Sequence, residues 1–364
     1  MTNKPKSLYI HIPFCEKICD YCDFTKLQYF RNFAVSYLSA LEKELKQYQI
    51  GSLKTIYVGG GTPTALEDNL FEELLKIIKP YTKGILEYTF EANPESLTET
   101  KIKLLSQYGV NRLSLGVQST NDRVLKAINR QHSFSDVQKA VGLLKQYGLT
   151  NINVDLILGL PHTSHTLLKR DLENIVSLGT KHISCYALTI HPHTVLFNKG
   201  YRETNNDKMR QYYDLVNSFL KEKNFIHYEV SNWCLDGYQS EHNLTYWRNK
   251  QYYGLGLGAS GYIDDIRYKN TVNLERYLKG DYIQEKETVT LKDLMTYQIM
   301  LNLRTKEGLN LQEFMEQFGV DLLKAKGKDI AELINNGYLL KKDNKLIPTY
   351  DGMMILDTII LRLI

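Results

Sequence analysis

Three cysteines, Cys15, Cys19 and Cys22, fall within eight residues in the spacing CxxxCxxC. Thiolates crowded in this way suit a soft metal centre. Three of them leave a tetrahedral zinc, or one iron of an iron–sulfur cluster, a ligand short. A free cysteine is most often a small buried hydrophobe, but Pro13 and several charged residues flank this set. Two completions stay open. His11 could close a Cys3His zinc site, although it lies in a strand-like run whose neighbours Ile10 and Ile12 point the other way. The other is a [4Fe–4S] cluster whose fourth iron takes a small molecule.

The elements that would position this loop alternate. Strand candidates are Leu8 to Ile12, Thr55 to Gly59, Leu86 to Ala92, Arg112 to Val117, Asn151 to Leu158 and His182 to Leu188, all rich in β-branched and aromatic residues. Helical patterns lie between them, over Phe33 to Tyr48, Asn69 to Ile78, Glu99 to Tyr108, Phe134 to Tyr147 and Thr166 to Leu178. Such alternation predicts an α/β fold with a parallel sheet and right-handed crossovers. Six units suit a partial (β/α)6 barrel, with a doubly wound open sheet as the competing arrangement. In both, chemistry belongs at the C-terminal strand ends. The cysteine loop follows the first strand and GGGTPT (Gly59 to Thr64) the second. Glu91 and Asn93 close the third, Gln118 and Ser119 the fourth, and Asp155 lies in the fifth. GGGTPT lacks the lysine of a phosphate loop, so it reads either as close backbone approach to a ligand or as a tight turn. Asp155, in NVDLIL, is costly to bury unless it is paired.

The chain of 364 residues carries a net charge of +4, too small to argue for nucleic acid as the main partner. Its five cysteines are an odd number, and the N-terminus lacks a signal-peptide pattern, which points to a reducing cytoplasm. Cys185 and Cys234 read as buried thiols, and His191 and His193 as loop residues. The apolar run Met353 to Ile364 carries Asp357 and Arg362 and is too short to span a bilayer. It reads as a packed amphipathic helix, with peripheral membrane contact as the alternative. Beyond Ile190, Asp207 to Lys223 is helical, and His227 to Cys234 alternates as a further strand would. From about Thr288 helices lead to a hairpin turning at Asp343-Asn344, a winged-helix-like pattern. The expected units are a barrel over 1–225, an extension over 226–285 and a tail over 286–364.

With Tyr21 before the last cysteine and GGGTPT downstream, the loop resembles the radical S-adenosylmethionine superfamily. More closely, YIHIPFC, CDYCDF, VGGGTPT, FEANPESL, RLSLGVQS, INRQH and NVDLILGLP resemble the oxygen-independent coproporphyrinogen III oxidase group. The resemblance implies that Cys15, Cys19 and Cys22 ligate a [4Fe–4S] cluster and that S-adenosylmethionine chelates its free iron. In the superfamily that ligand is cleaved to an adenosyl radical. Tyr9, Tyr21, Gly60, Gly61, Thr62 and Glu91 would line its site, and Gln118, Arg130 and Asp155 would contact a second molecule of it.

Two features depart from the oxidase. Phe24 stands where its motif has a further cysteine, and its long extension before the cysteine loop has no counterpart. Both match the relatives grouped as heme chaperones (HemW). The block HNLTYW, with His242, Asn243, Tyr246 and Trp247, resembles that group's HNxxYW motif. The resemblance implies heme as a third cofactor, with His242 a candidate for its iron, and heme-acceptor proteins such as cytochromes as partners. On chemistry alone, the favoured reading of His242 is a satisfied histidine beside core aromatics, and it is the resemblance that raises the heme role. The rival function is active coproporphyrinogen III oxidation. Nucleic-acid binding by the lysines of the tail is a third reading, not favoured because such domains are often packing modules.

Overall fold

The computed structural model describes residues 4–364. Six parallel strands, β1 (Ser7–Ile12), β2 (Thr55–Gly60), β3 (Glu87–Ala92), β4 (Arg112–Gln118), β5 (Ile152–Leu158) and β6 (His182–Ala187), pair in chain order. Consecutive pairing marks a partial barrel; a doubly wound sheet would reverse its order partway. Each strand lies within two residues of its expected bounds. The helices Arg31–Gln47, Asp68–Ile78, Glu99–Gln107, Phe134–Gln146 and His165–Ser177 agree as closely with the reading. Their caps explain this. Thr98, Ser133 and Ser164 each accept a backbone N–H of the first turn.

The outward faces of the strands pack under these helices. Leu8, Ile10, Ile56, Val58, Phe90, Leu113, Leu115, Val154 and Ile183 belong to one large core. The inward face is polar. His182 bonds Asn153 at 2.6 Å and the Tyr228 hydroxyl at 2.8 Å. Arg112 is buried in the same interior; burial works against its charge, and Glu87 first among its neighbours outweighs that.

Residues 226–285 do not stand apart from the barrel. A hairpin, β7 (Ile226–Glu229) and β8 (Asn232–Cys234), joins the β6 edge antiparallel, so the expected strand over His227 to Cys234 is two strands. β9 (Tyr253–Leu255) adds a parallel strand to β1. Sequence reading missed this strand because glycines surround it. Gly256 has a positive φ of 101°, and a Cβ there would stand 2.4 Å from the His11 carbonyl oxygen. A three-stranded antiparallel sheet follows, Ser260–Ile263, Ile266–Asn270 and Ile283–Thr288. The helix Asp122–Ala127, capped by Asn121, also went unread.

The tail has its own core, with Leu303, Leu309, Phe314, Ile330, Leu333, Leu346 and Ile359. Strands Leu339–Lys342 and Lys345–Pro348 form the expected hairpin, and Leu356–Leu363 is a packed helix burying Leu356, Ile359, Ile360 and Leu363. Among the described residues, no helix is long and apolar enough to cross a membrane.

Glu44 locks the β9 edge to the first helix. Its carboxylate accepts from the Gly256 N–H at 2.8 Å, Asn270 Nδ2 at 2.6 Å and the Tyr277 hydroxyl at 2.6 Å. Glu44→Ala strands three buried donors and should lower unfolding stability by about 2–4 kcal/mol, read as a shifted denaturant midpoint at unchanged slope.

Candidate functional site

The cysteine loop leaves β1 at Pro13 and returns through a short parallel pairing, Phe14–Cys15 with Leu27–Gln28. It is clamped from two sides. The Asp20 N–H donates to the Ile128 carbonyl at 3.2 Å, and Asn129 Nδ2 donates to the Ile18 carbonyl at 3.0 Å. On the other side Lys199 pairs with Asp20 at 2.6 Å. The block INRQH thus holds the cysteine loop, a role that no local sequence signal carries.

Cys15, Cys19 and Cys22 all face one cavity of about 380 Å³. Tyr21, Gly60, Gly61, Thr62, Glu91 and Gln118 line it too, as do Arg130 and Asp155. All but one of the side chains and glycines expected around S-adenosylmethionine therefore meet at the strand C-termini. The exception is Tyr9. It lies behind the rim, with its hydroxyl 2.9 Å from His11 Nδ1 and its ring 6.1 Å from that of Tyr57.

The glycine run has an internal cause. A Cβ at Gly59 would lie 2.5 Å from the Glu91 carboxyl carbon, and one at Gly61 2.7 Å from the Phe14 carbonyl oxygen. Glycine lets β2 approach both β3 and the cysteine loop. Glu91 accepts from the Gly60 N–H at 2.9 Å and from the Tyr57 hydroxyl at 2.8 Å. Burial nevertheless pushes its pKa up to about 7. Asp155 accepts from Ser114 at 3.1 Å and Asn153 at 2.8 Å, and burial raises its pKa as well. Arg130 is buried. Its guanidinium donates to Asn93 Oδ1 at 3.0 Å and the Gly116 carbonyl, and stands 3.5 Å from Cys19 Sγ. Thr62 Oγ1 stands 3.7 Å from Cys15 Sγ. Phe24 is 64% exposed at the cavity mouth, beside His191, whose Nε2 lies 3.2 Å from Asp23.

The donor set fits an iron–sulfur cluster. Its three groups are soft thiols, the ligands such clusters take, and burial pushes the Cys15 thiol up to about 11. The zinc alternative lacks its histidine. His11 is bonded at both nitrogens, to Tyr9 and at 2.7 Å to the Thr25 carbonyl. Among the described residues, no three His, Cys, Asp or Glu side chains converge on a single-ion site.

The HNLTYW block is elsewhere. Glu241–Trp247 is a helix closing the opposite, N-terminal end of the barrel. Its first turn is held by Glu87, which accepts from the Glu241 N–H at 2.9 Å and the His242 N–H at 3.1 Å. His242 is fully buried, its Nδ1 2.8 Å from Thr55 Oγ1 and its Nε2 2.7 Å from the Tyr246 hydroxyl. Both nitrogens of this candidate heme ligand are therefore hydrogen-bonded inside the floor. Asn243, Tyr246 and Trp247 lie on the same helix, away from the cysteine rim. Cys185 and Cys234 are buried thiols, as read.

A partial barrel with three cysteines in its first loop and a winged-helix-like tail defines a radical S-adenosylmethionine protein. Residues 9–175 match the Radical SAM superfamily and residues 289–355 the HemN C-terminal domain. A solved structure of coproporphyrinogen III oxidase (HemN) from Escherichia coli, 21% identical, superposes with a TM-score of 0.87 over 99% of this chain and 90% of that one. That likeness shows the shared fold. The chain is 38% identical to the heme chaperone HemW of Lactococcus lactis, over 97% of this chain and 95% of that one. It is 35% identical to HemW of Bacillus subtilis, over 96% and 97% respectively. The chain belongs to the HemW family.

Glu91 gives a pH test. Between about pH 4.5 and 7 the folded chain holds a proton that the unfolded chain releases, so stability falls as pH rises through this window. One such site contributes at most about 1.4 kcal/mol per pH unit. Glu91→Gln should flatten that slope in urea melts, leaving the parallel share of Glu229, also pushed up to about 7 by burial.

Proposed function

We propose that this protein is a cytoplasmic heme chaperone that binds heme and passes it to acceptor proteins such as cytochromes. The observation that carries the reading is full-length similarity to proteins named heme chaperone HemW, at 38% identity. Cys15, Cys19 and Cys22 would hold a [4Fe–4S] cluster, and S-adenosylmethionine would occupy the cavity beside it. When bound, the cluster supplies an electron and an open iron position for a chelating ligand.

The chain's own groups suit that ligand. The Gly60 and Gly61 backbone can lie against it without side-chain obstruction. Glu91 and Asp155 offer acceptors to its amino and ribose hydroxyl groups. Arg130 braces the loop through Gly116 and Asn93 while facing Cys19. Phe24 places an apolar ring, not a further thiol, at the mouth. The five free thiols agree with a reducing compartment.

The test uses anaerobically reconstituted protein. It should bind heme stoichiometrically and deliver it to an apo-acceptor, without converting coproporphyrinogen III in the presence of reductant and S-adenosylmethionine. Cys19→Ala should lose iron and sulfide together. Sustained oxidase turnover would contradict the chaperone reading, and zinc copurifying at one per chain would contradict the cluster.

A further inference from the structure

A second cavity, larger than the one at the cysteines, lies elsewhere on the barrel. It measures about 730 Å³ and opens at the N-terminal ends of β1 and β2, against the helix Glu241–Trp247. Small-molecule sites usually span about 300–1,000 Å³. Its inner wall is a run of hydroxyls. Thr55 Oγ1 donates to Ser7 Oγ at 2.8 Å, and Ser7 Oγ lies 3.0 Å from Thr245 Oγ1. Because the Thr55 proton is used there, His242 Nδ1 must donate to Thr55, and its Nε2 accepts from Tyr246. The chain ends where Thr245 Oγ1 donates to the Glu241 carbonyl at 3.1 Å. The hydroxyl protons are therefore committed internally, and donors for a ligand must come from the rim.

That rim is cationic. Lys4, Lys6, Lys54, Arg248 and Lys250 face Glu241, Asp264 and Asp265. Arg248 is taken by Glu307 at 2.5 Å and Glu241 at 3.3 Å, and the Lys4 amine donates to the Gln49 carbonyl. No ion pair among the described residues uses Lys6, Lys54 or Lys250. Among the described residues these three ammonium groups stand around the cavity outside any ion pair, with Asp264 and Asp265 in the same lining. Pro5 and Leu86, the latter 62% exposed, add apolar surface beside the lysine stems.

We propose that this cavity is a docking site for an organic polyanion and, resting on the heme-chaperone reading above, that it receives the propionate edge of a porphyrin. Lys6, Lys54 and Lys250 would supply the charge and Leu86 the apolar contact. The HNLTYW helix then serves the site as its wall, through Thr245 and Arg248. Porphyrin would sit at the opposite end of the barrel from the cysteines.

The test titrates three probes into the reconstituted full chain: heme, iron-free protoporphyrin IX and its dimethyl ester. Wild-type protein should bind the first two, lose affinity as salt rises, and bind the ester weakly. The combined Lys6→Glu, Lys54→Glu and Lys250→Glu protein should bind heme at least about tenfold more weakly. Its iron, sulfide and S-adenosylmethionine binding should be unchanged, which also reports that it folds. The milder triple Gln variant should fall between the two. Equal heme affinity in wild type and charge reversal, or tight binding of the ester, would overturn the proposal. Displacement of heme by pyrophosphate at comparable concentration would overturn the porphyrin assignment in favour of a phosphorylated ligand. Wild-type protein that binds neither heme nor porphyrin would instead remove the heme-chaperone reading, and the docking site with it.

Discussion

An arc of six strands cannot fill its interior as a closed barrel does, and this constraint organises the molecule. The inward side chains are polar, and each buried polar group must be satisfied without bulk water. Asn153 joins His182 to Asp155, and Glu87 reaches down to the first turn of the floor helix. Glu91 binds the β2 glycine turn and Tyr57. The Tyr57 ring in turn packs 5.2 Å from that of His242. The floor helix is needed because the arc leaves its N-terminal end open. The cysteine loop caps the other end.

Two ends with different chemistry follow from this construction. The C-terminal rim gathers thiols, glycine backbone and two buried carboxylates around a small cavity. The N-terminal end has a larger, cation-rimmed cavity walled by hydroxyls. The polar column between them is continuous from Glu91 through Tyr57 to His242 and Thr55. The tail attaches at the β7–β8 edge, where Val230 and Lys306 exchange backbone bonds with Arg304 and Tyr228.

Much of the barrel was legible in the sequence because each unit states its own limits. Thr98 and Ser133 cap helices, Gly109 and Gly148 end them, and the strands are dense in β-branched residues. The cysteine rim was legible because five successive strands repeat one pattern. What escaped was non-local. Nothing near Tyr253 announces that three residues will pair with β1, since their place depends on Glu44 more than two hundred residues away. Nothing in INRQH announces that Asn129 will hold the cysteine loop. His242 lies at the same limit: its motif names a candidate ligand, while its pairing with Thr55 is visible only in three dimensions.

The central claim is that the cysteine cluster and the heme occupy opposite ends of one barrel. The most direct measurement is heme titration of protein in which Cys15, Cys19 and Cys22 are all replaced by Ala, followed by its Soret band. The account predicts stoichiometric heme binding at wild-type affinity without iron–sulfur absorbance. Loss of heme binding together with the cluster, in protein that remains folded, would contradict it.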